Sequence, residues 1–232
     1  MDMIGISNGV YEWNGFRLAM DFAVTKASIT AVLGPSGAGK STLLNIIAGF
    51  ENLNAGRLTL DGADHTSTSP AQRPVSLVFQ DNNTFAHMTA RDNVGLGISP
   101  SLRLDAARWA TVDNALSNVG IAHLALRKPG DMSGGERQRI ALARVLVRQK
   151  PILLLDEAFA ALGPSLRVEM LQLVKSLKAE QSLTLLMVTH QLEDAEAIAD
   201  HVMFVSDGVV HAPQTIREFR NSKDEAIRNY LR

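Results

Sequence analysis

The chain has 232 residues and a mass of 25.1 kDa, with 46% hydrophobic and 20% charged residues, a globular composition that excludes disordered, collagen-like and simple coiled-coil readings. Lys plus Arg number 23 against 24 Asp plus Glu, so the net charge of −1 offers no global attraction to nucleic acid or to an anionic membrane. The absence of cysteine excludes disulfide frameworks, thiolate zinc sites, iron–sulfur ligation and cysteine nucleophiles together, and fits a reducing compartment.

In chain order, residues 3–13 and 16–25 read as strands around Asn14-Gly15, a pair suited to a hairpin turn. Residues 29–33 form a short apolar strand that runs into a glycine-rich loop, and residues 41–50 predict a helix. Residues 75–79, 152–155 and 183–188 are short apolar runs, as expected of strands covered on both faces of a parallel sheet. Between 81 and 132 the pattern turns polar, helical and punctuated by Gly and Pro, with 105–119 its clearest helix. That segment predicts a helical insertion of about residues 81–135 in an α/β core made of 1–80 and 136–232. From Leu166, apolar residues recur at Met170, Leu173, Val174 and Leu177, one face of a helix with Pro164 near its start. Asp207-Gly208 signals a late hairpin, followed by a short helical tail. No internal repeat is visible. The longest runs without Asp, Glu, Lys or Arg are 13 residues, the glycine-rich 27–39 and 114–126, whereas a spanning helix needs roughly 20 mainly apolar residues. No basic segment followed by an apolar run opens the chain, so no secretory signal is expected and any membrane role is expected to be peripheral.

Gly34-Pro35-Ser36-Gly37-Ala38-Gly39-Lys40-Ser41 matches the phosphate-loop pattern, and Thr42 follows it on the first helical turn. The glycines let the backbone curl so that successive N–H groups point inward, and the following helix adds its positive end. Lys40 is expected at the β/γ-phosphates and the Ser41 hydroxyl on Mg²⁺. An accidental glycine-rich turn would not respect the flanking strand and helix. Residues 151–157 then give an apolar strand ending in Asp156 and Glu157. Beside a phosphate loop, Asp156 is expected to hold Mg²⁺ through water and Glu157 to act on the attacking water as general base or orienter. Alone, such a pair is commonly only a polar loop.

Ser133-Gly134-Gly135-Glu136 opens a further helix that Ser133 can cap, with exposed N–H groups at both glycines suited to an anion. With this third motif in that order, the chain resembles the ATP-binding subunits of ABC transporters over essentially its whole length. The resemblance implies an ABC ATPase cassette, that is, a P-loop core with a mixed, largely parallel sheet, an antiparallel β subdomain and the helical insertion. It places Gln80 on Mg²⁺ and the lytic water, and His190 on the γ-phosphate in support of Glu157. It also implies an aromatic near the N-terminus stacked on adenine, Trp13 or else Tyr11. Two subunits would face head to tail around two ATP molecules, each nucleotide held by one phosphate loop and the other chain's Ser133-Gly134-Gly135-Glu136. Gly163 stands where the family usually has Asp, a departure expected to weaken coupling between the two sites.

Within the family, residues 34–50, 61–66, 73–83, 85–89 and 93–97 are most similar to the ATPase subunits of bacterial thiamine importers. The implied partners are a second copy of the chain, a transmembrane permease and, indirectly, a periplasmic substrate-binding protein, at the cytoplasmic face of the inner membrane, with no nucleic acid. Phe85 and Met88 are apolar in a loop, and residues 81–100 are expected to form part of a groove for a short permease helix. Import of another small molecule such as a polyamine or iron, a soluble non-transport ABC ATPase, and a nucleotide-binding regulator without catalysis are the alternatives. Arg137, Arg144 and Arg148 share a helical face, read as a solvated or dimer-facing stripe rather than a nucleic-acid site.

Overall fold

The computed structural model describes residues 1–79 and 84–232. Strand β1 (Asp2–Trp13) pairs antiparallel with β2 (Phe16–Thr25) across Asn14-Gly15, both at positive φ, 47° and 82°. Strand β3 (Ile29–Leu33) leads into helix α1 (Lys40–Ala48), which stops at Gly49, whose φ of 90° is left-handed. Strands β4 (Ala55–Leu60) and β5 (Ala63–Asp64), not foreseen from sequence, form a second hairpin across Asp61-Gly62, with φ of 47° and 78°. Next come β6 (Val75–Val78), helices α2 (Ala90–Gly95), α3 (Ala106–Asn118) and α4 (Gly134–Leu146), then β7 (Ile152–Asp156), α5 (Pro164–Gln181) and β8 (Thr184–Val188). Helix α6 (Leu192–Ile198), strands β9 (His201–Ser206) and β10 (Val209–Val210), and helices α7 (Ile216–Arg220) and α8 (Glu225–Tyr230) complete the order. The β9–β10 turn is Asp207-Gly208, again with positive φ at both residues.

Among the described residues, ten strands lie in one sheet of order β5-β4-β1-β2-β10-β9-β3-β8-β7-β6. Its β9-β3-β8-β7-β6 half is parallel, and β1, β2, β4 and β5 form the antiparallel half. The parallel strands read as uninterrupted apolar runs because both faces are covered. Along β7, Leu153 and Leu155 point into a core with α4 and α5, while Ile152 and Leu154 point into one with α1. A third core, around Leu33, Phe204 and Phe219, seats α6, α7 and α8 beside β3 and β9. Helix α4 packs on α2, α3 and β6.

Arg73 locks α1 from behind. It is 1% exposed, and its Nη1 donates to the carbonyls of Ile46 (2.5 Å) and Ile47 (3.0 Å), while Nε donates to Thr68 O at 3.0 Å. The last turn of α1 thereby gains a charged donor for carbonyls that a helix end leaves unpaired. A Cβ at Gly49 would lie 2.6 Å from Arg73 Nε, so glycine there serves both the turn and the buried guanidinium. Arg73→Ala should lower unfolding free energy by about 3 kcal/mol, since it strands buried carbonyls and leaves a cavity. Urea unfolding checks this; a loss under about 1 kcal/mol would show that the cap contributes little.

Candidate active site

Three neighbouring parallel strands deliver three loops to one edge of the sheet. Val32 of β3 and Asp156 of β7 both pair with Val188 of β8, so Gly34, Glu157 and His190 leave the sheet at about the same height. Backbone bonds continue past the strands, Glu157 N to Val188 O at 3.2 Å and Thr189 N to Val32 O at 3.3 Å. A cleft of about 340 Å³ opens there, lined by Phe16, Ser36, Gly37, Lys40, Ser41, Thr42, Glu157 and His190 among others.

The phosphate loop is shaped by close approach and by its lysine. At Gly34, φ is 147° and a Cβ would sit 2.2 Å from Val205 O, so the turn admits only glycine. Lys40 is 5% exposed and donates from Nζ to Gly34 O and Pro35 O, both at 2.8 Å. The ammonium folds the loop over itself and keeps one of its three N–H donors for a ligand. No side chain caps α1, whose N-cap is Gly39 in the left-handed region, so its first amides face the cleft with the helix's positive end.

Opposite the loop stand the acids. Ser41 Oγ donates to Asp156 Oδ1 at 3.0 Å, which sets two hard oxygen atoms side by side across 115 residues of sequence. Burial raises the Asp156 carboxyl above the usual range, Ser41 and Lys40 pull it down, and Glu157 pushes it up. Burial likewise lowers the Lys40 ammonium, against the attraction of Glu157 and Asp156. Glu157 adopts φ 46°, an uncommon left-handed backbone for a residue with a side chain, and its Oε1 lies 2.5 Å from His190 Nε2. Sequence reasoning had placed both residues here, and the structure brings them together.

Beneath His190 lies a buried network that sequence reasoning missed. Arg167 Nη2 donates to Asp194 Oδ2 at 2.6 Å, and the Thr189 hydroxyl donates to the same oxygen at 2.6 Å. Thr189 Oγ1 in turn accepts from Gln191 N at 3.1 Å. The start of α5 and the start of α6 are thus tied together directly under the histidine loop.

Other expected site residues fall elsewhere. Ser133, Gly134, Gly135 and Glu136 lie outside the cleft, at the start of α4. Ser133 and Glu136 form a reciprocal cap, with Ser133 N to Glu136 Oε2 at 2.7 Å, so Glu136 has a structural task. A Cβ at Gly135 would meet Leu166 of α5 at 2.3 Å, which explains that glycine by close packing. Gln138 Nε2 donates to Ala158 O, linking this helix to the loop after the acids. Gln80 lies outside the described residues. Of the aromatics, Tyr11 is 7% exposed and donates to Glu51 Oε2 at 3.1 Å, which removes it from consideration as a stacking platform. Trp13 is 66% exposed and does not line the cleft, whereas its cross-strand partner Phe16 does. The Trp13–Phe16 pairing that a two-residue turn imposes was the available signal for Phe16.

A second groove, of about 410 Å³, runs between β6, the residues after α2, and α4, with Phe79, Ile98, Pro100, Arg144 and Arg148 in its walls. Phe85 is 45% exposed beside it with the Arg144 guanidinium 5.8 Å from its ring centre. Arg137, by contrast, donates to Met132 O at 2.6 Å and braces the loop before α4, so the three arginines do not act as one stripe. Among the described residues no helix is long and apolar enough to cross a membrane.

The family described as ABC transporter matches residues 18–160. The chain is 51% identical over 209 residues to the thiamine import ATP-binding protein ThiQ of Photorhabdus laumondii, covering 90% of this chain and 89% of that protein. It is 51% identical over 222 residues to the ThiQ of Mesorhizobium japonicum (95% and 88% covered) and 50% over 216 residues to that of Escherichia coli O157:H7 (92% and 93%). Among solved structures, a nucleotide-free ATP-binding cassette from an ABC transporter superposes with a TM-score of 0.89 at 25% identity, covering 100% of this chain and 99% of the other. The ADP conformation of the cassette MJ1267 does so with the same score and identity, covering 100% and 98%.

Asp156 should trade stability for function. Its raised pKa means that the folded state favours the neutral form, a contribution present below the unfolded pKa and lost as pH rises through the folded one. At neutral pH the charged Asp156 therefore opposes folding. Asp156→Asn should raise Tm at pH 7 by roughly 2 °C while abolishing hydrolysis, with the gain in Tm shrinking as pH falls toward about 4. Thermal melts across that range decide it, and an unchanged or lower Tm at pH 7 refutes the trade.

Proposed function

The chain belongs to the ABC transporter family, as an ATP-binding and ATP-hydrolysing cassette, and on that premise we propose that it powers a bacterial thiamine importer. One observation carries the catalytic part: the phosphate loop, the Ser41–Asp156 pair and the Glu157–His190 pair share one cleft at the ends of adjacent strands. The cargo part rests on three relatives that are half identical to this chain over about nine-tenths of its length.

The donor set fits a Mg²⁺ ion, which takes one or two protein oxygens and fills its shell with water and phosphate oxygens. Ser41 and Asp156 would hold it, with Gln80 as the third expected contact, and the ion would supply charge neutralisation at the phosphates. Lys40 and the amides of residues 37–42 bind the triphosphate and orient its terminal group. Glu157 takes the proton of the attacking water as its oxygen bonds to the γ-phosphorus, and the bond to the bridging oxygen of ADP breaks. His190 holds the Glu157 carboxylate in place and meets the γ-phosphate from the side of β8. The half-buried ring of Phe16 in the cleft wall and the exposed ring of Trp13 would flank the base.

Ser133, Gly134 and Gly135 lie outside the cleft. In this reading a second copy supplies those residues, so ATP joins two chains and its hydrolysis releases them. The second groove receives a cytoplasmic helix of the permease, which puts the protein at the inner face of the membrane. The permease and an external binding protein choose the cargo.

Labelled thiamine uptake in cells lacking this subunit should return with the native protein and stay at background with Glu157→Gln. If uptake never depended on the subunit, thiamine is the wrong cargo, while phosphate release by the purified protein tests the motor separately. Gly163 offers a finer test. It sits at the N-cap of α5 in an extended conformation, and a Cβ there would meet nothing within 4 Å. Gly163→Asp should fold normally, cap α5 and raise the Hill coefficient for ATP in the assembled transporter; identical cooperativity would remove Gly163 from the account of site coupling.

A further inference from the structure

Three features hold the loop that carries His190, and each fixes a different residue. Thr189 N donates to Val32 O, and the Thr189 hydroxyl reaches Asp194. Gln191 N donates to Thr189 Oγ1. Between them, the His190 carbonyl accepts a hydrogen bond from the Tyr230 hydroxyl at 3.2 Å, across 40 residues and from the last turn of α8. The same hydroxyl lies by the phosphate loop: the backbone amide of Gly34 opposes the rise that burial imposes on the Tyr230 phenol. One side-chain oxygen thus stands between the two loops that must cooperate in hydrolysis.

The rest of α8 is anchored without that oxygen. The Tyr230 ring packs edge-on against Phe204 at 5.3 Å, and Phe204 is fully buried. Ile227 is 3% exposed in the same core, and the Asp224 side chain caps the helix at Ala226 N and Ile227 N. The hydroxyl is therefore separable from the anchor, which makes its role testable. His190 needs such a hold. Its side chain is 39% exposed, and a 2.5 Å contact to Glu157 leaves little tolerance for rotation of its backbone.

We propose that Tyr230 is a positioning residue for ATP hydrolysis: its hydroxyl fixes the His190 carbonyl and so aims the imidazole at Glu157, coupling the C-terminal helix to the catalytic loop. This rests on the roles given to His190 and Glu157 above. The experiment uses the full-length protein and Tyr230→Phe, which keeps the ring on Phe204 and deletes the bond. Phosphate release should show kcat lowered roughly fivefold with KM for ATP unchanged, the effect of losing one hydrogen bond that acts only on alignment. Hydrogen exchange should quicken at residues 190–192 while residues 225–230 keep their protection, and Tm should stay within about 1 °C. An unchanged kcat overturns the proposal. So does a loss of kcat accompanied by faster exchange in 225–230 and a lower Tm, which would make Tyr230 a structural anchor only. Glu157→Gln in the same assay separates the two failures: if it hydrolyses ATP normally, the reading of the whole site fails, whatever Tyr230 does.

Discussion

Everything in the cleft depends on the register of three parallel strands. β8 lies between β3 and β7, and Val188 pairs with Val32 on one side and Asp156 on the other. A shift of one residue in either pairing would turn every core side chain of that strand to the opposite face. It would also separate Ser41 from Asp156 and Glu157 from His190, pairs held at 3.0 and 2.5 Å. The apolar contacts that fix the register are therefore the same ones that assemble the chemistry. Both faces of β7 are filled, Leu153 and Leu155 on one and Ile152 and Leu154 on the other, so the strand has no second place to sit.

Charge placement follows from that geometry and works against stability. Burial pushes the Asp156 carboxyl up and the Lys40 ammonium down, each away from its charged form, and their mutual attraction opposes both shifts. The left-handed backbone at Glu157 adds a conformational cost of about 1 kcal/mol. Such costs persist where the surroundings overdetermine the conformation, as the bonds of Glu157 N to Val188 O and Ala160 N to Glu157 O do here. A highly charged ligand that meets these groups finds its partners already aligned, and little reorganisation is left for the reaction itself.

The legible parts of the sequence were those whose physics is local. The phosphate loop, the acidic pair, the buried strands and two of the three hairpins each announce themselves within about ten residues. The third hairpin carried the same Asp-Gly signal at Asp61-Gly62, but its β5 strand has two residues, too short for any alternation to show. Phe16 was hidden for a related reason: only the cross-strand partner of Trp13 shows which ring turns to the cleft. Arg73, Arg167 with Asp194, and Tyr230 were illegible because each acts on a backbone or carboxylate 20 or more residues away. A polar residue in a helical or loop pattern reads as solvated until the contact that buries it is known. Ser133-Gly134-Gly135-Glu136 carries a structural task that its pattern did not announce: Glu136 caps its own helix and Gly135 admits Leu166.

The buried Arg167–Asp194 pair explains how a disturbance outside the cleft can reach its centre. Arg167 lies one turn beyond Gly163, and Asp194 lies one turn beyond His190. Removing either partner strands a charge at a cost of about 3–5 kcal/mol, so the two helix starts move as one piece or the pair breaks. Gln138 adds α4 to this piece through the carbonyl of Ala158, immediately after Glu157. The loop at 158–163 is consequently joined to the helix that Ser133 caps on one side and to the histidine loop on the other. The three elements that hold Glu157 and His190 thus share one connected set of buried contacts, one of which, α4, also walls the groove with Arg144.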